Sequence, residues 1–204
     1  MGITPKQFAD MQERVSGKHR KVRPAPAFSG SSAPTVNSSP VILGIDPSLR
    51  GTGYGVIRVV KSRPGAIAFG IIASPAGWER SRCLVQISRG LREVLKKHQP
   101  TVCVVEGLFY AQNLQTALIM GEARGASLAV VAEAGLEIYE IAPRKVKQAI
   151  VGYGAAQKLA VAKMVQRMLN LPEVPEADAA DALAIALAYA QEFNRFSFGG
   201  KRRI

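Results

Sequence analysis

Apolar and polar positions divide the 204-residue chain unevenly. Residues 1–40 have no apolar period and are rich in Pro, Ser, Gly and Ala, the composition of a disordered arm. Within them, Thr4 ahead of Pro5 in ITPKQFADMQERV is the start signal of one short helix. Regular patterning begins at Val41. VILGID is a short apolar run ending in an acid, as expected of a buried strand. TGYGVIRVV and AIAFGIIAS follow as a second and a third strand, joined through short Gly- or Pro-bearing links that favour an antiparallel meander. SRCLVQISRGLREVLKKHQ then switches to helical spacing through Leu84, Ile87, Leu91, Val94 and Leu95, and Pro100 closes it. TVCVVEG is a fourth strand, again ending in an acid. A helix is predicted from about Gln112 to Glu133, stopped by Gly135, and LEIYEIA is a fifth strand. Helical pieces follow over 143–150, 156–170 and 177–192.

This order fixes an α/β fold class. Three strands with short links pair antiparallel, and each later helical crossover adds a parallel strand. The result is a mixed five-stranded sheet with helices on both faces. The domain layout is a basic arm over 1–40, a globular domain over 41–192 and a basic tail over 193–204.

Composition narrows the class. Hydrophobic residues make up 48% and charged residues 21%, enough for an ordinary core. No apolar run reaches the roughly 18 residues that span a bilayer, and no signal-peptide core is evident, so a soluble cytoplasmic protein is expected. Two cysteines, Cys83 and Cys103, are too few for a disulfide framework and read as core residues of a reducing compartment. His19 and His98 suggest no zinc site. The net charge of +12 points to an anionic partner such as nucleic acid. The arm holds six Lys/Arg against two Asp/Glu, and the tail four Lys/Arg and no acid. Basic tails that serve only solubility are the alternative.

Against that basic background four acids stand out. Asp46 ends the first strand and Glu106 the fourth. Asp178 and Asp181 lie three apart in EADAADALAIALAYA, on one helical face. Carboxylates at the ends of apolar strands are costly unless a cation or hydrogen-bond donor compensates them. Clustered, they repel one another until a metal neutralises them. All-oxygen ligands select hard ions such as Mg²⁺ or Mn²⁺, and a pair of such ions can drive phosphodiester cleavage. Taken singly, Asp46 could be a turn former and Asp178 a complement to the helix dipole.

The residues around these acids carry a resemblance. VILGIDPSLRGTGYGVI, VVEGLFYAQNLQTALIMGEARG, APRKVKQAIVGYGAAQK and EADAADALAIA resemble, in order, the motifs of the RuvC family of Holliday-junction resolvases, over about residues 41–192. The resemblance implies an RNase H-like fold and a homodimer that makes paired nicks in four-way junction DNA during recombination and repair. It also implies Mg²⁺, replaceable by Mn²⁺, with two ions per site during catalysis, and the RuvA and RuvB branch-migration proteins as partners. By motif position Asp46, Glu106, Asp178 and Asp181 are the catalytic, metal-binding acids. Phe109 is the aromatic that stacks on a base beside the junction centre, with Tyr110 next to it. Lys147 and Lys158 are the basic residues near the scissile DNA; Arg144 is read as DNA-binding from the basic cluster around them, not from the motifs.

The chain departs from the family pattern at three positions. Ser48 and Leu49 stand where the family commonly has Gly and a polar residue, and Gly107 where it has a polar one. A turn requiring positive φ would strain Ser48. Arg144, Lys145, Lys147, Lys158, Lys163 and Arg167 form a basic cluster suited to phosphates, or a solvated helix face. Ala117, Gly121 and Gly125 form a small-residue stripe for packing against the sheet or against a partner's equivalent helix. Three rival readings remain at this point. One is an actin-like nucleotide-binding domain using GIDPSLRGTGYG as a phosphate hairpin. The others are a non-catalytic junction-binding protein and a related resolvase or ribonuclease of the same fold.

Overall fold

The structure is a computed structural model that describes Lys6, Ala9, Gln12 and residues 39–107, 113–194 and 202–204. The chain forms two units, residues 1–32 and 33–204. In the first, the three described residues are helical, within the stretch that Thr4 and Pro5 mark as a helix start. The remainder of the expected arm, up to Ser38, lies outside the described residues, as does most of the tail.

The second unit is built on one mixed sheet in the order β3-β2-β1-β4-β5-β6. β1 (Val41–Asp46) is central, antiparallel to β2 (Gly51–Val60) and parallel to β4 (Val102–Glu106). β3 (Arg63–Ala73) pairs antiparallel with β2, and β5 (Ile138–Ile141) parallel with β4. The five expected strands are present. A two-residue β6 (Arg202–Arg203) within the expected C-terminal tail adds an antiparallel sixth on β5.

Strand alternation sorts side chains to the two faces. Leu43, Ile45, Cys103 and Val105 pack with Cys83, Ile87 and Leu91 of α1 (Arg80–His98) and Val130 and Val131 of α2 (Leu114–Glu133). Ile42, Ile57 and Val104 pack on the opposite face. Their partners are Val146 and Ile150 of α3 (Pro143–Val151), Val161 and Val165 of α4 (Lys158–Leu169), and Leu183 and Leu187 of α5 (Ala177–Asn194).

α5 is the central element of that second face. From Ala179 to Ala190 every residue except Asp181 is buried, so α5 is apolar nearly all round, as a core helix must be. It lies directly on strand backbone. A Cβ at Gly44 would stand 2.1 Å from the Ala182 carbonyl oxygen, and one at Gly53 2.0 Å from that of Asp178. Only glycine permits this approach.

Three details refine the sequence reading. The β2–β3 turn is Lys61–Ser62, both at positive φ (47° and 64°), so Pro64 and Gly65 fall inside β3. Pro64 is tolerated because β3 is an edge strand whose outer side needs no ladder donor. Ser48 keeps a negative φ, and its neighbour Leu49 turns into the core at 8% exposure, so the turn after Asp46 is unstrained. Finally, the stripe on α2 does not pack against the sheet, because the space over Gly121 and Gly125 is open.

Candidate active site

The sheet register brings the first two acids together. Ile45 pairs with Val105 across parallel β1 and β4, so Asp46 and Glu106 are the next residues of adjacent strands. Their positions share the parity of Ile42, Gly44 and Val104, which places them toward α5. Gly53, opposite Asp46 on β2, abuts the backbone of Asp178, and Gly51 would meet the Asp178 carboxylate with any Cβ. The first turns of α5 therefore sit over the C-terminal ends of β1 and β4, with Asp178 and Asp181 as the only partly exposed residues between Asp178 and Ala190.

All four acids line one cleft of about 750 Å³. Lys147 from α3, Lys158 from α4, Arg50 and Arg80 line the same cleft. Lys158 Nζ donates to Asp181 Oδ2 at 2.9 Å, and this bond raises the lysine pKa above its ordinary value. Arg80 also pairs with Glu122 of α2 at 3.3 Å.

The electrostatics are those of crowded anions. Asp46 is pushed up to about 6, first by burial and then by Asp181, with Lys158 opposing and Asp178 adding. Glu106 is pushed up to about 7, again by burial first and then by Asp46 and Asp181, against Lys158 and Lys147. Asp46 and Glu106 thus both feel the charge of other acids in the cleft, as members of one cluster do. Among the described residues no three such side chains converge closely enough to hold an ion as they stand. The donor set is nonetheless oxygen-only and mutually repelling, which fits a hard divalent cation.

Of the expected DNA-contacting residues, Lys147 and Lys158 face the cleft. Arg144 instead lies over Gly154, whose added Cβ would stand 2.4 Å from its side chain. Lys145, Lys163 and Arg167 are exposed and are not part of the cleft lining. Phe109 and Tyr110 lie outside the described residues. Gly107 is buried and donates its N–H to the Ile141 carbonyl at 2.9 Å, which continues the ladder past Glu106. Arg50 and Arg80 were missed in the sequence, although Arg50 stands inside the GIDPSLRGTGYG motif.

A mixed sheet with acids ending two adjacent strands, joined by acids on the crossing helix, defines an RNase H-like nuclease. The profile of crossover junction endodeoxyribonuclease RuvC matches residues 42–189. The Coxiella burnetii protein of that name is 47% identical over 154 residues, covering 76% of this chain and 89% of the relative. The Akkermansia muciniphila one is 45% identical over 148 residues, covering 72% and 89%. Thermus thermophilus RuvC, solved in complex with a Holliday junction substrate, superposes with a TM-score of 0.73 at 31% identity, over 80% of this chain and 99% of that one. The chain belongs to the RuvC family of crossover junction endodeoxyribonucleases, and its activity is endonucleolytic cleavage of Holliday junctions. The actin-like and non-catalytic readings fall away. The glycines of GTGYG are explained instead as the seat of α5.

Proposed function

We propose that Asp46, Glu106, Asp178 and Asp181 are the catalytic acids, and that they hold Mg²⁺, with Mn²⁺ able to replace it, in a two-ion arrangement during cleavage. The observation that carries this is the gathering of four carboxylates from β1, β4 and α5 in one cleft with Lys147 and Lys158 beside them. The ions would supply an activated water and stabilise the leaving oxygen. The chain's own residues do the rest. Lys158 holds Asp181 in place, and Lys147 and Lys158 draw the scissile phosphate into the cleft. Phe109 and Tyr110, just beyond Glu106, stack on bases opened at the junction centre. Arg144 and the basic segments 1–40 and 193–204 contact the phosphate backbone. The test is a synthetic four-way junction offered beside plain duplex and RNA–DNA hybrid, with and without Mg²⁺. Paired nicks in the junction alone, only with Mg²⁺, are expected; preferential hybrid cleavage would reject the assignment.

The site's acids make stability depend on pH. Asp46 and Glu106 titrate higher in the folded chain, at about 6 and about 7, than their ordinary values of 3.8 and 4.5. The folded state therefore binds protons more tightly than the unfolded one. The stability this contributes is complete below about pH 4 and is lost as pH rises through 6 and 7. Each group's slope is at most about 1.4 kcal/mol per pH unit. Metal-free protein should thus lose Tm between about pH 4 and pH 7 through this site, and Mg²⁺ should restore it at about pH 8 but not at about pH 4. Equal Mg²⁺ effects at both pH values would count against these acids as ligands.

We further propose a homodimer through the outer face of α2. Leu114 and Leu118 are 76% and 57% exposed there, above the open positions Gly121 and Gly125. Exposed leucines beside small residues suit the close approach of an equivalent helix, and two-fold symmetry would match two opposed cuts. Leu118→Glu is expected to give folded monomers in sedimentation, a Tm lowered only by the lost subunit association, and loss of paired nicking. A variant that stays dimeric and still cuts in pairs would move the interface elsewhere. The assembled enzyme works in the cytoplasm with RuvA and RuvB, a setting that two buried free thiols suit.

A further inference from the structure

Arg124 is an arginine in the middle of an apolar helix and is 8% exposed. An arginine withdrawn from water destabilises the fold unless its donors are matched. One arm of its fork reaches Glu140 of β5, where Nη2 donates to Oε2 at 2.5 Å. The other arm does something the ion pair alone would not require: Nη1 donates to the backbone carbonyl of Glu106.

That carbonyl belongs to the last residue of β4, where the sheet hands the chain on to the segment beyond Gly107. Glu140 is the β5 residue paired with Val105, one position before Glu106. The guanidinium therefore ties together the end of β4, its neighbour strand and α2. A planar fork fixes two acceptors at once, which a point charge cannot do.

We infer that Arg124 is a positioning residue for the cleavage reaction, holding the backbone at Glu106 so that its carboxylate stays in the cleft beside Asp46. It acts from the α2 side of the sheet, while the carboxylate it positions faces α5. Because α2 presents Leu118, Gly121 and Gly125 outward, Arg124 also makes the place of Glu106 depend on how α2 is seated. This inference rests on the assignment of Glu106 as a catalytic acid.

The test uses the full-length protein and the variants Arg124→Met, Arg124→Lys and Glu106→Gln. Three quantities are compared: single-turnover junction cleavage at saturating protein well below Tm, junction Kd without divalent ion, and the Mg²⁺ concentration that half-saturates the Tm rise at pH 8. For Arg124→Met, cleavage should fall by about 10- to 100-fold with Kd within about 2-fold, as for loss of a group that orients a ligand. The Mg²⁺ half-saturation should move to higher concentration, and Arg124→Lys should recover part of both effects. A lowered Tm with wild-type cleavage and wild-type Mg²⁺ response would make Arg124 purely structural and overturn the inference. If Arg124→Met does not fold, Arg124→Lys decides alone: about a 10-fold loss of cleavage at near-normal Tm supports the inference, and a wild-type rate overturns it. If Glu106→Gln still cuts, the reading of the site has failed, whatever Arg124 does.

Discussion

Asp46→Asn is expected to lower junction cleavage by at least about 10³-fold while leaving junction binding intact. Asp46 ends the central strand, faces α5 and feels the charge of Asp178 and Asp181. An amide keeps the shape and one acceptor oxygen but removes the charge that would hold a divalent ion. Binding should persist, because Lys147 and Lys158 remain and one repelling anion has gone, so Kd should stay level or tighten. A second readout follows from the raised pKa. Ionised Asp46 destabilises the metal-free fold at pH 8, so the asparagine variant should melt higher than wild type there and lose part of its Mg²⁺-induced Tm rise. Near-normal cleavage by the variant would remove Asp46 from the chemistry. Lost cleavage with an unchanged Mg²⁺ response would keep it in catalysis but not as a ligand.

How legible was this in the sequence? The elements were, because their apolar periods are strong: VILGID and TVCVVEG can hardly avoid being buried strands, and Ile87, Leu91 and Val94 line the inner side of a helix. That the acids end strands was legible too, but not that Asp46 and Glu106 lie side by side. That depends on the parallel register Ile45↔Val105, which no local pattern encodes. The Lys61–Ser62 turn was hidden because both residues take a positive φ that usually selects Gly or Asn. Arg124 was invisible, since an arginine amid apolar helix residues reads as a solvated position until its two acceptors are known. The stripe Ala117, Gly121, Gly125 was noticed, but small residues announce only that something can come close.

The glycines of β1 and β2 give the second large effect. Gly53→Ala should cost about 3 kcal/mol or more of stability and take cleavage down with it. The added Cβ would meet the Asp178 carbonyl oxygen at 2.0 Å and its carbon at 2.5 Å. Both are backbone atoms of a helix seated on the sheet, so no side-chain rotation can relieve the contact. Either β2 or α5 must shift. If α5 shifts, it carries Asp178 and Asp181 away from Asp46 and Glu106. Gly44→Ala, at 2.1 Å from the Ala182 carbonyl, should behave alike one turn further along α5. Gly121→Ala is the contrasting case: its site is open in the single chain, and removing a helix-interior glycine should stabilise α2 by up to about 1 kcal/mol, less whatever the added Cβ costs at the proposed α2 contact between subunits. Thermal melts of the three variants, with junction cleavage measured well below each Tm, separate the possibilities. A Gly53→Ala protein with wild-type Tm and wild-type cleavage would mean that α5 does not rest on β2 as described. Had these glycines instead served to cradle a nucleotide phosphate, alanine at Gly53 would weaken nucleotide binding and leave the melt and the junction cleavage alone. The close contact with the Asp178 backbone requires the opposite: the fold and the four-acid cleft should fail together.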